Sequence, residues 1–503
     1  MKVLIFSANN DFSAIECATM QLNKGNEVFV LSCDSNMKIC MHNKLGNSLY
    51  CKLCQHTMLS AWKKSGVFDK IHYYKFSQLI KKQDRDKAFS FNTNFNSITE
   101  LKDAIYKGAE VGYGAFSSYV SMSRNVMPNI SREFKKFIAF LIQKEIELYE
   151  VAERLIIENS IELLIFHNGR FSTYKPFLGL AERFRIPYVI TEQEYCNDDV
   201  MKNYFVNGTP HEMQPIIEHM NKNWEAGKAV EDVEKYAHDF FNKRRNSQAA
   251  GDMVYTKDQI KGLLPEKWDK SKENIAIFNS SEDEFCAVSK AFDSYTLYPS
   301  QYDALISIFE HYKNDDSKYF YLRIHPNLKN VPYKSHLILY TLQYPNVTII
   351  KPESPVNSYS LLDNCSKVII FNSTVGLEAS YWRKPVIALT HFYYSEFEAV
   401  YTPKSQNELW KLIDTKELAD RYNEGVLKFA YFLYRKNLPK FEYVSYKYID
   451  FKFLRTRLSG AMVMKFLNSY KIMAIIEFLI NRIPFPSPIN RYCKLPETKP
   501  YQV

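Results

Sequence analysis

No G-x-G-x-x-G run follows the first apolar strand, so a dinucleotide cofactor is not indicated. No uninterrupted apolar run reaches the length needed to cross a membrane. No secretory leader opens the chain either. Met1-Lys2 passes directly into an apolar strand that stops at Asn9-Asn10-Asp11, and a cytoplasmic protein is expected. The basic run Lys243-Arg244-Arg245 has no aromatic stacking pattern beside it, so it reads as a solvated face and no nucleic-acid partner is expected.

What is present is a long, ordinary globular composition. A chain of 503 residues exceeds one core and calls for two large domains. Hydrophobic residues make up 46% and charged residues 24%, as in soluble proteins. A net charge of +9 permits an anionic ligand, nucleic acid or an anionic membrane surface without choosing among them. The 36 tyrosines and 35 phenylalanines suit aromatic-lined clefts, although most must be core.

The chain opens with a strand over Lys2–Ser7, a helix from about Ser13 to Lys24 broken at Gly25, and a strand at Val28–Leu31. That is a βαβ start of the doubly wound kind. Cys33, Cys40, Cys51 and Cys54 follow within 22 residues, spaced C-x6-C-x10-C-x2-C, with His42 and His56 nearby. The pair Cys51 and Cys54 has the spacing that lets two thiolates reach one metal, and a cytosolic chain disfavours disulfides. A structural zinc site is the first reading, an iron–sulfur cluster the second, and four ordinary thiols in a loop the third. The first pair lacks a C-x-x-C, which argues against a zinc ribbon.

From about Ala61 to Arg132 the pattern is irregular and polar. Ser97 with Glu100 forms a capping box for a helix ending at Gly108, and Gly112 to Ser118 reads as a loop or turn. Phe134–Asn159 is the longest amphipathic helix. Strands at Ile161–Phe166 and Pro187–Ile190 then deliver His167-Asn168-Gly169-Arg170 and Thr191-Glu192-Gln193-Glu194 to one sheet edge. Ligands of parallel sheets bind at that edge.

A second βα series begins at Asn274. Ile275–Phe278 ends in Asn279-Ser280-Ser281-Glu282-Asp283-Glu284, and Tyr319–Ile324 contains Arg323 and ends in His325-Pro326-Asn327. The stretch Asn357–Leu389 is a strand–turn–helix–strand unit that sets Ser373 and Thr374 at a helix N-terminus and Glu378 one turn on. Plain helix capping by Ser373 and Thr374 is the competing account. The chain thus divides into a Rossmann-like domain over 1–265, a second over 266–400, and a helical tail over 401–503 expected to pack across both. Within that tail Met462–Ile483 is a core helix or a membrane-surface helix.

The motifs Arg323-Ile324-His325-Pro326-Asn327, Asn357 to Leu362, and Phe371 to Ala379 with Lys384-Pro385-Val386 resemble the bacterial capsule polysaccharide biosynthesis family. That family includes Kdo transferases and is distantly related to bacterial sialyltransferases. The resemblance implies a GT-B fold: two Rossmann-like domains facing across a cleft, the first for the acceptor and the second for a nucleotide-sugar donor. It implies that His325, Ser373 and Thr374 hold the nucleotide phosphate. By analogy Glu378 contacts the ribose, and Arg323, Ser280 and Ser281 join the donor site.

The catalytic base is then expected from the first domain, with His167, Glu192 and Glu194 as candidates. Transfer without a metal cofactor is expected, onto a glycan or lipid-linked glycan, with peripheral seating on the cytoplasmic face of the inner membrane as a further expectation. A GT-B-shaped sugar-nucleotide epimerase and a non-catalytic nucleotide-binding assembly protein are the alternatives.

Overall fold

The computed structural model describes residues 1–8, 12–44, 46–196, 199–250, 254–331, 333–434, 440–444, 451–453 and 456–458. Its first sheet holds β1 (Lys2–Ser7), β2 (Glu27–Ser32), β3 (His72–Lys75), β4 (Leu163–His167), β5 (Tyr188–Cys196) and β6 (Asp199–Val206), in the order β3-β2-β1-β4-β5-β6. The first five run parallel and β6 closes the edge antiparallel to β5. Val3, Leu4, Ile5 and Phe6 are all buried, as a parallel strand covered on both faces requires. The covering helices include Ser13–Asn23, Arg132–Asn159 and Lys175–Phe184. Ser131 caps the long helix through Phe134 N–H, and Ser160 ends it in the left-handed region.

The second sheet holds β7 (Glu273–Phe278), β8 (Lys318–Arg323), β9 (Val347–Ile350), β10 (Lys367–Ile370) and β11 (Val386–Ala388), all parallel, in the order β11-β10-β7-β8-β9. Both sheets therefore reverse winding beside their first strand, at β1/β4 and at β7/β10. The crevice outside the carboxyl ends at such a reversal is the place these folds offer to ligands. Helices Gln301–Tyr312 and Gln406–Asp414 bury Leu305, Ile308, Leu409 and Ile413 on one face of the second sheet. On the other face a continuous apolar cluster joins the second sheet to the first, running through Leu361, Leu377, Phe429, Phe241 and Leu141.

Several elements differ from the sequence expectation. β3 and β6 were not expected: β3 is a half-buried edge strand of His and Tyr, and β6 has Lys202 and Asn203 between its apolar residues, so neither reads as a continuous apolar run. Glu192 and Glu194 lie inside β5, which continues beyond Ile190 because β6 pairs along its whole length. Gly112 to Ser118 is not a loop but part of a buried helix, Val111–Ser123. A Cβ on Gly112 would stand 1.8 Å from the Leu101 carbonyl oxygen, so glycine is required there by close packing and not by a turn. The helix begun by Ser97 stops at Lys102.

The expected boundary near 265 also shifts. Helices Met213–Lys228 and Val233–Arg245 pack on helix Glu424–Tyr434, and Ile260 and Gly262 bond to Pro355 and Ser360. Helix Met213–Lys228 also packs on β6, so this stretch bridges the two sheets. After Tyr434 the chain returns to the first domain, where buried Glu16 accepts the N–H groups of Glu442, Tyr443 and Val444 at 2.8, 2.9 and 3.1 Å. The expected helix at Met462–Ile483 lies outside the described residues. Among the described residues no helix is long and apolar enough to cross a membrane.

Gly376 lets the short helix Val375–Tyr381 lie directly on β10. A Cβ there would meet Ile370 Cδ1 at 2.3 Å and Cγ1 at 3.2 Å, and Ile370 is itself fully buried. Gly376→Ala should destabilise the protein by about 1–3 kcal/mol, the usual cost of overpacking a filled core. Urea denaturation checks this, and an unchanged midpoint would contradict it.

Candidate active site

The carboxyl ends of β7, β8 and β10 surround one cavity of about 310 Å³. Ser280, Ser281, Arg323, His325, Ser373, Thr374 and Glu378 all line it, so the structure gathers every residue expected there from the second domain.

The three strand ends are cross-linked by side chains. Asn279 Oδ1, buried, accepts His325 N–H at 2.7 Å and ties β7 to β8. His325 Nδ1 accepts Asn327 N–H at 3.1 Å, which puts the proton of the neutral ring on Nε2. Asn327 Nδ2 donates to Ser281 Oγ at 3.2 Å. The buried Tyr394 hydroxyl donates to the carbonyls of Phe371 and Ser373 at 3.1 and 3.0 Å and fixes the turn after β10.

Thr374 sits at the N-cap position but its side chain makes no capping hydrogen bond, whereas Ser373 Oγ accepts Val375 N–H at 3.4 Å. Ser280 is held by Gln301, whose Oε1 accepts its N–H at 3.1 Å and whose Nε2 donates to its Oγ at 2.9 Å. Ser280 therefore shapes the wall.

The two charged residues play parts other than a simple contact. Arg323 is buried and donates to the carbonyls of Lys351 and Ser354 at 2.9 and 3.2 Å. Burial lowers its pKa to about 10, so it stays cationic at neutral pH, beneath a cavity that an anion would enter. Glu378 has one oxygen on Arg244 Nε at 3.0 Å and the other on the Tyr359 hydroxyl. Its carboxylate is thus engaged by two side chains of the protein. It holds Arg244 against the cavity wall. The run expected to be solvated is therefore no solvated face: Arg244 lines the cavity, Arg245 pairs with Asp363, and Lys243 donates to Tyr434.

The first-domain candidates stand apart from this cavity. His167 and Glu192 come together on adjacent strands, with Nε2 and Oε2 3.9 Å apart, and Asn168 Nδ2 donates to Glu192 Oε1 at 2.7 Å. Neither lines the cavity. Glu194 is placed only as a position in β5, opposite Met201.

A second cavity shares Ser280, Phe285 and Asn372 with the first, and is walled by Lys102, Asp103 and Tyr113 of the first domain and by Glu282 and Asp293 of the second. Burial, reinforced by Asp303 and Asp283, raises the Glu282 pKa to about 7, while an N–H from Gln301 opposes the shift.

Cys33, Cys40, Cys51 and Cys54 line one small cavity at the ends of β1 and β2. Among the described residues no group of three or more His, Cys, Asp or Glu side chains is arranged to hold a metal ion. Burial, with the neighbouring sulfurs, raises the Cys40 and Cys54 thiols above their ordinary pKa. Cys33 and Cys40 lie in the loop after β2, whereas Cys51 and Cys54 sit in helix Ser48–Lys64.

Two Rossmann-like sheets with a ligand cavity at the switch point of the second define a GT-B-like protein. Residues 290–436 match the family described as "Capsule polysaccharide biosynthesis protein", a stretch holding Arg323, His325, Ser373, Thr374 and Glu378. No curated protein matches the chain.

Among solved structures, the chain is similar to the KpsC beta Kdo 2,4 transferase of Thermosulfurimonas dismutans, with 12% identity over 54% of this chain and 79% of that one and a TM-score of 0.33. The beta Kdo 2,7 transferase of KpsC from the same organism aligns at 14% identity over 63% and 87%, with a TM-score of 0.32. UDP-GlcNAc 2-epimerase from Neisseria meningitidis aligns at 12% identity over 86% and 98%, with a TM-score of 0.25.

Tyr394→Phe should leave two buried carbonyls without their donor and lower stability by about 1–3 kcal/mol. Chemical denaturation would measure it, and a change within error would mean that the turn holds itself.

Proposed function

We propose that this protein is a glycosyltransferase that moves a sugar from a nucleotide-sugar donor onto a surface glycan of the capsule type. The observation that carries this reading is the convergence of His325, Ser373 and Thr374 on one cavity above the buried cation of Arg323. The family match over residues 290–436 supports the capsule context. A GT-B-shaped epimerase would use a similar cavity, but the family match favours transfer.

In this reading the donor's phosphates meet His325 Nε2–H and the hydroxyls of the Ser373-Thr374 turn, with aromatic residues Tyr255, Phe392 and Tyr393 beside them to receive the base. An acceptor hydroxyl loses its proton to a carboxylate and its oxygen bonds to the anomeric carbon. The bond from that carbon to the phosphate oxygen breaks, and the growing phosphate charge is met by groups already in place. Of the candidate bases, Glu282 is the best placed, because its cavity adjoins the donor cavity and includes side chains from both domains. The pair His167 and Glu192 is the alternative base in the same reaction. Glycan or lipid-linked acceptors and seating on the cytoplasmic face of the inner membrane belong to the same proposal.

Thermal-shift screening with CMP, UDP, GDP and TDP and their sugars tests donor binding, since a ligand of the native state raises apparent stability. His325→Ala should weaken nucleotide binding and slow transfer by roughly ten- to a hundredfold, the worth of one charge-assisted hydrogen bond. A variant that binds and transfers like wild type would move the donor site elsewhere.

Glu282→Gln should keep nucleotide binding and lose turnover. In the wild type kcat/KM should rise with pH through about 7, because the base works deprotonated. An active Glu282→Gln protein beside an inactive Glu192→Gln protein would assign the base to β5.

A further inference from the structure

The wall of the donor cavity holds two buried donors that have no hydrogen-bond partner among the described residues, Arg323 Nε and Gln259 Nε2. A buried N–H group without an acceptor costs more free energy than most hydrogen bonds return, so such groups are few in native proteins and each calls for a cause. Arg323 has one. It is a cation beneath the place assigned to the phosphates, and a phosphate oxygen would take its remaining N–H. Gln259 carries no charge, so the phosphates do not explain it.

Gln259 sits on a segment laid against the start of helix Ser358–Asn364. Ile260 N–H bonds the Pro355 carbonyl at 2.9 Å, Gly262 N–H bonds Ser360 Oγ at 3.0 Å, and Asn357 N–H bonds the Leu263 carbonyl at 3.0 Å. Gln259 Oε1 accepts Ser358 N–H at 2.8 Å. That bond settles which end of the amide is which, because a backbone N–H is met by the oxygen and not by the NH2 group. The amide is thereby fixed with its acceptor used and its donors left over. Tyr255, on the same segment, also lines the cavity and stands against the His325 ring with centroids 5.0 Å apart. One short segment thus supplies an aromatic face and a group that can only donate.

A nucleotide in this cavity has phosphates, ribose and base to place. The phosphates go to the cation and the hydroxyls. Ribose hydroxyls both donate and accept, so a donor-only group discriminates little among them. A ring carbonyl only accepts, and a site built to hydrogen-bond it rejects an amino group standing in its place. Cytosine, uracil, thymine and guanine each carry a ring carbonyl, whereas adenine carries none and presents an amino group. We infer that Gln259 Nε2 donates to a ring carbonyl of the donor's base and selects such bases against adenine. The inference rests on the nucleotide-sugar reading of the cavity. It adds to that reading a residue that precedes the stretch matched to the family, 290–436.

The test is calorimetric titration of the full-length protein with CMP, UDP, GDP and TDP, and with AMP and ADP. One or more of the first four should bind wild type at least about tenfold more tightly than the adenine nucleotide with the same number of phosphates, the effect of one hydrogen bond made or stranded. In Gln259→Met that nucleotide should bind roughly ten- to a hundredfold more weakly and the preference over adenine should vanish, while AMP and ADP bind as before. Gln259→Glu keeps the bond to Ser358 and puts an acceptor where the donor stood, so it should abolish the preference even if Gln259→Met does not fold. His325→Ala should weaken every nucleotide alike, so a fault in the donor reading shows separately. A wild type that binds none of these nucleotides would remove that reading and this inference with it. Binding with no preference over adenine, an unchanged Gln259→Met protein, or equal losses for all the nucleotides in that variant would each overturn the assignment of Gln259 alone.

Discussion

The guanidinium of Arg170 is the contact on which the arrangement of the two domains depends. It leaves β4 on a turn whose Asn168 and Gly169 are both in the left-handed region, and it is buried. Its donors reach Ser117 Oγ at 2.5 Å within its own domain, then the carbonyls of Asp283, Glu284 and Cys286 across the interface at 3.3, 2.5 and 3.2 Å. Burial lowers its pKa, yet arginine starts so high that the charge persists. Breaking such a contact strands several buried carbonyls together, which costs more than losing one bond.

Around that centre the same loop after β7 is gripped from the first domain by Arg124 on Asp283, Lys175 on the Val288 carbonyl, and Lys102 on Asp293. This loop begins at Ser280 and Ser281, so the contacts that orient the domains also set one wall of the ligand cavity. Arg124 reaches further, to the carbonyl of Asn327, whose amide N–H bonds the His325 ring. The imidazole is thus positioned by a chain of contacts that starts in the other domain. The contacts between the domains and the contacts that shape the site are thus parts of one network.

How much of this was legible in the sequence follows from the range of each interaction. His325, Ser373, Thr374, Ser280 and Ser281 could be found because they immediately follow apolar runs, and a parallel sheet carries such positions to one edge. Tyr394, Asn279, Gln301 and Arg244 could not, since nothing local marks them. Tyr394 serves the site through a hydroxyl directed at a turn 21 residues earlier, and Arg244 through a carboxylate 134 residues away. Gly112 misled because glycine signals a turn locally, whereas here it serves a helix contact. The four cysteines converge on one small cavity, as their clustering suggested, but the spacing alone did not show that Asn43 would donate to Cys51.

The path of the chain has a mechanical consequence. It passes from the first domain to the second after β6, and back again between Tyr434 and the segment anchored on Glu16. Two covalent crossings keep the two domains in one chain, so the groups that meet at their interface stay close together at any dilution. Arg170 adds a noncovalent tie to these two covalent ones, and its carbonyl partners never have to be found by diffusion from another molecule.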